Sequence, residues 1–216
     1  MSLAKEVLGA IELKSRLVTG DALYCEAGFC QDVLTGGGQY LVIVKKNQPT
    51  LYEDIELLFR EPPPGEVFAF AETLDRHGDR HETRRFWASE ALSEYLGWPG
   101  VRQVGKIERV TIRKGKETRQ VRYCITSLDS SVSPERLLTH VRGHWGIENR
   151  LHYVRDVTFG EDASQVRSDS APEVMSALRN CTISILRHAG WPNIAAALRH
   201  HAWQHNASTR TLGLTV

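Results

Sequence analysis

The run QYLVIVKKN at residues 39–47 constrains the fold more than any other stretch. Its apolar residues are β-branched or bulky and do not alternate with polar ones. That is the pattern of a strand covered on both faces, as in a parallel sheet between helices. A chain with such a strand must supply helices for both faces, and its neighbours read that way. Residues 4–14 have a helical pattern, and Leu17-Val18-Thr19 is a short apolar strand ending at Gly20-Asp21. CQDVLTGGG reads as a helix closed by glycines, which tolerate a left-handed cap. PTLYEDIELLFRE starts on a proline and repeats apolar residues at Leu51, Ile55, Leu58 and Phe59. Residues 4–61 therefore alternate helix, strand, helix, strand, helix, the α/β grammar.

PPPG at 62–65 breaks that grammar. Four strand-like runs follow: EVFAFAETL, RHETRRFWAS, VRQVGKIERVTIRK and ETRQVRYCITSL, with a hairpin corner at Lys114-Gly115. Helices are expected again over 134–156, 171–189 and 192–204. Ser133 and Ser170 stand as N-cap candidates ahead of acidic first turns. The expected organisation is a core segment (1–61), a β-rich insertion (62–130), C-terminal core helices (131–205) and a flexible tail (206–216).

Charge is uneven although the net formal value is only +1. Residues 101–122 carry eight Lys/Arg against Glu108 and Glu117, while 53–72 holds six acids against Arg60. A basic run of this kind is either a solvated face or a surface for nucleic acid. The four cysteines, Cys25, Cys30, Cys124 and Cys181, form no C-x-x-C pair, so zinc knuckle and disulfide framework are disfavoured and reduced thiols in a cytoplasmic protein are expected. No apolar run reaches the ~18–20 residues that span a membrane.

Two acids stand out. Asp21 directly follows a buried strand, and ligand sites of open α/β sheets lie beyond the carboxyl ends of strands. Its plainer reading is a cap on the next turn. Glu148 lies in HWGIENRLHYVRD (144–156), where His144, Glu148, His152 and Arg155 would share one stripe of an α-helix. A zinc site between His144 and His152 is excluded by the ~12 Å that eight α-helical residues span. Paired Asp and Glu oxygens suit a hard cation such as Mg²⁺ better.

The blocks VTGDALYCEAGFCQDVL…GGGQYLVIVKKNQPTLYEDI and VRGHWGIENRLHYVRDVTFGEDASQVR resemble the C-terminal part of insertion-sequence DDE transposases of the H-repeat-associated protein type. The resemblance covers most of residues 4–190. It implies an RNase H-like catalytic core, incomplete because its first strands are missing, with a β-rich insertion and C-terminal helices. It implies that Asp21 and Glu148 are the second and third catalytic acids and ligands of Mg²⁺ or Mn²⁺. The first catalytic Asp belongs to an earlier strand. Residues 1–20 hold only Glu6 and Glu12, so that acid is expected outside this chain. The resemblance departs at Arg155, where the wider superfamily has lysine, and at His144 and Val141, where it has arginine and tyrosine.

The implied partner is double-stranded DNA, at transposon ends and target, in a bacterial cytoplasm, with a homodimer as one option. Arg155 and Lys46 are candidate phosphate contacts, with Asn149, His152 and His144 supporting Glu148. Arg109, Arg113, Lys114, Lys116, Arg119 and Arg122 would face transposon-end DNA. The competing reading is a catalytically dead remnant that serves as a DNA- or protein-binding module.

Overall fold

The computed structural model describes the backbone of residues 2–146, 148–204 and 206–214, and the side chains of all these except Ser2, Leu3, Glu148 and Asn149. The chain divides into two compact units, Met1–His144 and Trp145–Val216.

The first unit is a mixed six-stranded sheet flanked by helices. Helix α1 (Ser2–Ala10) precedes strand β1 (Leu17–Gly20), helix α2 (Ala27–Thr35), strand β2 (Gln39–Val44) and helix α3 (Pro49–Arg60). Strands β3 (Ala69–His77), β4 (Arg80–Ser89), β5 (Gln103–Arg113) and β6 (Lys116–Thr126) follow, then helix α4 (Pro134–His144). Sheet order is β1-β2-β6-β5-β4-β3. Only β1 and β2 are parallel; β2 pairs antiparallel with β6 through Val42↔Ile125 and its neighbours. The insertion thus continues the sheet that the first strands begin, and β2 is parallel on one side only.

The local chemistry of the expected elements is met. Gly38 N–H bonds to Val33 O at 3.0 Å and Gly37 N–H to Leu34 O at 2.9 Å, with Gly37 at φ 76°. These are the two bonds of a Schellman cap on α2. Lys114 and Gly115, at φ 50° and 72°, make the two-residue corner between β5 and β6. Positive φ at both loop residues matches the twist of the flanking strands. Ser170 precedes α5 (Ala171–His188) without a side-chain cap bond, contrary to the capping expectation.

Both sheet faces are covered, as the β2 pattern requires. Tyr40, Val42, Val44, Val104 and Ile125 pack with α2 and α3 residues such as Val33 and Ile55. Leu41, Ile43, Phe86, Ile107 and Cys124 pack beneath Leu137, Leu138 and Val141 of α4. Leu137 and Leu138 are fully buried, worth about 2 kcal/mol each. The buried Tyr40 satisfies its hydroxyl on Pro99 O at 2.7 Å.

The second unit contains two π-helical segments, Glu148–His152 and Val154–Thr158, then α5, α6 (Ile194–Trp203) and α7 (Ala207–Thr211). Val154, Ile183, Leu186, Ile194 and Ala197 form its core. The tail expected to be flexible contains α7, which His201 Nε2 reaches at Thr211 Oγ1, 2.9 Å away.

Candidate active site

Asp21 sits where β1 ends, half-buried. Its Oδ1 accepts the Leu23 N–H at 3.0 Å, capping the short 3₁₀ turn Ala22–Tyr24. The capping role weighed from sequence is therefore real. Oδ2 has no hydrogen-bond partner among the described residues. The loop after β2 is fastened beside this turn: Asn47 Nδ2 donates to Ala22 O at 2.8 Å and Gln48 Nε2 to Cys25 O at 2.9 Å. Parallel pairing of β1 with β2 brings both carboxyl ends to one rim, and these two amides lock the loops together. Lys46 is exposed on the same loop. His144, at the end of α4, places Nδ1 3.2 Å from Thr19 Oγ1, two residues before Asp21.

Asn47 and Gln48 were not anticipated as part of this rim. The polar NQ pair, two lysines beyond a buried strand, is their only sequence signal. Which carbonyls they would reach depends on the β1–β2 pairing.

The Glu148 region departs from expectation. Instead of one α-helix over 134–156, α4 ends at His144 and the chain continues through the two π-helical segments. Phe159 N–H bonds to Val154 O at 3.0 Å, an i to i−5 bond. The wider turn breaks the α-helical arithmetic that put His144, Glu148, His152 and Arg155 on one stripe. Short π segments are rare in helices and concentrate at functional sites. The side chains of Glu148 and Asn149 lie outside the described residues. His152 is exposed.

Arg155 is engaged by the protein itself. Its guanidinium forms a two-pronged pair with Glu161, Nη2 to Oε1 at 2.8 Å, and Nη2 also reaches Ser176 Oγ at 2.7 Å. Arg179 adds a second cation to Glu161 at 3.2 Å. The Arg155 hydrogen bonds, ahead of the two positive charges, hold the Glu161 carboxyl below its ordinary range.

The basic residues of the insertion divide by position. Arg109 Nη2 donates to Glu82 Oε2 at 2.9 Å, and Arg80 and Arg84 pair with the same carboxylate. Arg119 Nε donates to Glu108 Oε1 at 2.6 Å, with Arg85 on the other oxygen at 3.1 Å. Glu82 and Glu108 are 5% and 2% exposed, so these are buried acids held by arginines that reach in from the surface. Burial pushes both carboxyls up, but the arginine hydrogen bonds and charges more than reverse it and hold them below the ordinary value. Arg113, Lys114 and Lys116 stand exposed at the hairpin tip, and Arg122 is half-buried on β6.

For a divalent cation, Asp21 offers the right donor chemistry, a hard and partly exposed carboxylate oxygen at a strand end. Among the described residues, no group of three or more Asp, Glu, His or Cys side chains gathers to hold a metal. No helix among them is long and apolar enough to cross a membrane.

Comparison with known proteins agrees with the residues that carry the resemblance. The chain is 30% identical over 191 residues to the H repeat-associated putative transposase YhhI of Escherichia coli (strain K12), covering 84% of this chain and 50% of that one. It is also 30% identical over 197 residues to the putative transposase YncI of Escherichia coli O157:H7, covering 84% and 48%. The putative protein YbfL of Escherichia coli (strain K12) matches at 30% over 191 residues, covering 84% and 50%. The chain thus spans about half the length of these relatives. The family described as Transposase DDE domain matches residues 1–185, and the chain belongs to it.

Proposed function

We propose that the chain carries two of the three carboxylates of a DDE site, Asp21 and Glu148, on an RNase H-like core, and that the complete site cleaves and transfers DNA strands in transposition. The supporting observation is the position of Asp21 within a chain of this family. It stands at the carboxyl end of a parallel strand, on a rim stapled by Asn47 and Gln48, with one oxygen unengaged among the described residues. The third carboxylate, the first Asp in order, belongs to sequence outside this chain.

Two Mg²⁺ or Mn²⁺ ions held by such carboxylates supply Lewis-acid stabilisation to the attacking and leaving oxygens of an in-line displacement. Asp21, its backbone turn fixed by its own cap, and Glu148 are the residues of this chain that would hold such ions. The family resemblance assigns Asn149, His152 and His144 as supports that would orient the Glu148 carboxylate. Lys46, exposed on the loop beside the rim, would meet a backbone phosphate, and Arg155 would do so only by giving up its bonds to Glu161 and Ser176. The exposed hairpin tip, with Arg113, Lys114 and Lys116, forms the broader DNA-facing surface, while Arg109 and Arg119 behind it are taken up by Glu82 and Glu108.

A second reading, a binding module without catalysis, is favoured by the cap that Asp21 makes. Asp21→Asn separates the two, because asparagine caps as well as aspartate but is a poor ligand for a hard cation. With Mn²⁺ as probe, the wild-type chain is expected to show paramagnetic broadening of amide signals at Asp21–Leu23 and around Glu148. Asp21→Asn keeps the fold and loses that broadening. If both segments stay sharp at millimolar Mn²⁺, the catalytic reading is wrong. In a polypeptide of the relatives' full length, Glu148→Gln is expected to bind DNA and fail in strand transfer.

A further inference from the structure

Arg84, Arg109, Arg119, Arg142 and Arg155 each meet a carboxylate. Three others gather without one. In the second unit, Arg150, Arg187 and Arg199 line a groove of about 640 Å³ between the π-helical segments and the α5–α6 turn. No acid is among its lining residues. All three arginines are exposed, and none has an ion-pair partner among the described residues. Arg187 Nη2 donates to Arg150 O, which fixes its guanidinium at the groove wall. Tyr153 and Val157, 57% and 60% exposed, form an apolar shoulder on the same wall.

Three like charges around one concavity repel one another, and an anion between them relieves that repulsion. Guanidinium groups match the geometry of phosphate oxygens in paired hydrogen bonds. An exposed aromatic and an aliphatic surface beside them suit the flat, apolar side of a nucleotide. The volume falls in the range of small-ligand pockets and admits about one nucleotide unit.

We propose that this groove is a second DNA-contact site, which takes a backbone phosphate on Arg150, Arg187 and Arg199 and lays the adjoining sugar or base against Tyr153 and Val157. It rests on the reading that the protein acts on DNA. It uses none of the residues assigned above to the catalytic rim or the hairpin.

The test is fluorescence anisotropy of a labelled DNA duplex with the 216-residue chain over a range of salt concentrations. The Arg150→Gln/Arg199→Gln pair removes two cations and leaves the Arg187 bond to the Arg150 carbonyl in place. The log–log salt slope changes by ~0.9 for each phosphate that is no longer neutralised, so loss of the one phosphate held in the groove should lower it by about 0.9. The Lys versions at both positions keep charge and should restore most of the slope. Tyr153→Ala should weaken binding without altering the slope. An unchanged slope in the Gln pair overturns the groove as a DNA site. So does a glutamate-rich peptide that binds the wild-type chain more tightly than duplex of equal charge, an outcome that marks a protein-docking surface. Mn²⁺ broadening at Asp21 is measured on the same Gln pair. Its persistence alongside an unchanged slope means that the groove proposal fails and the catalytic reading stands.

Discussion

The two places where arginines concentrate differ in what they face. On β4, β5 and β6, basic residues crowd the sequence, yet Arg84, Arg85, Arg109 and Arg119 are bound to Glu82 and Glu108, which the sheet buries. In the C-terminal unit, Arg150, Arg187 and Arg199 belong to no basic run, yet the fold brings them together with no acid beside them. The first group holds the sheet together and the second is available to a ligand. A basic stretch in a sequence therefore says little about where positive charge is free. The number of carboxylates buried within reach decides that.

This contrast is tested most severely by orphaning a buried acid. Arg85→Ala/Arg119→Ala leaves Glu108 without either partner, and an unpaired buried charge is strongly unfavourable. A loss of about 3 kcal/mol is expected in urea denaturation. Adding Glu108→Leu to that pair should recover most of it, because an apolar residue needs no partner there. A small loss in the double variant would mean that the sheet arginines are as free as those of the groove.

An intermediate effect is expected from acid. Glu82 and Glu108 titrate below the ordinary carboxyl value of 4.5 when folded, so the unfolded chain binds more protons in that window. Their contribution is complete above the unfolded value and is lost as pH falls through the lower folded values. The urea midpoint should be level near neutrality and decline below about pH 5. Glu82→Gln should shallow the decline. A midpoint independent of pH in that range would contradict the assigned pairing.

The smallest effect should come from the groove. Arg199→Ala removes an exposed cation with no ion-pair partner among the described residues, so stability should stay within about 0.5 kcal/mol. A larger loss would show that Arg199 is structural after all. Together with the salt-slope measurement, this separates a residue kept for binding from one kept for folding.

Much of the rim is legible in the sequence. Asp21 can be singled out because the apolar run before it and the QYLVIV strand after it are local patterns, and strand ends in α/β sheets are where ligands bind. The hairpin at Lys114-Gly115 and the glycine cap of α2 are equally local, since each depends on the φ of one or two residues. The π-helical course after His144 is not legible. An apolar and polar periodicity reads as α whenever the spacing nearly fits, and an i to i−5 bond leaves no signature in residue type. Nor is the pairing of β2 with β6, which Tyr40 N–H reinforces with a bond to Ser127 Oγ at 2.9 Å across 87 positions.

Residue order alone specifies the α/β alternation, the β-rich insertion, the helical C-terminal part and the two sequence blocks that carry the family resemblance. Each is written in short-range periodicity or in a contiguous block of residues. Three outcomes come from the folded arrangement instead: which cations are neutralised, that β2 has one parallel and one antiparallel neighbour, and that Asn47 and Gln48 staple the loop beside Asp21. Those outcomes depend on side chains far apart in the chain meeting at distances of about 3 Å, where burial and charge act together.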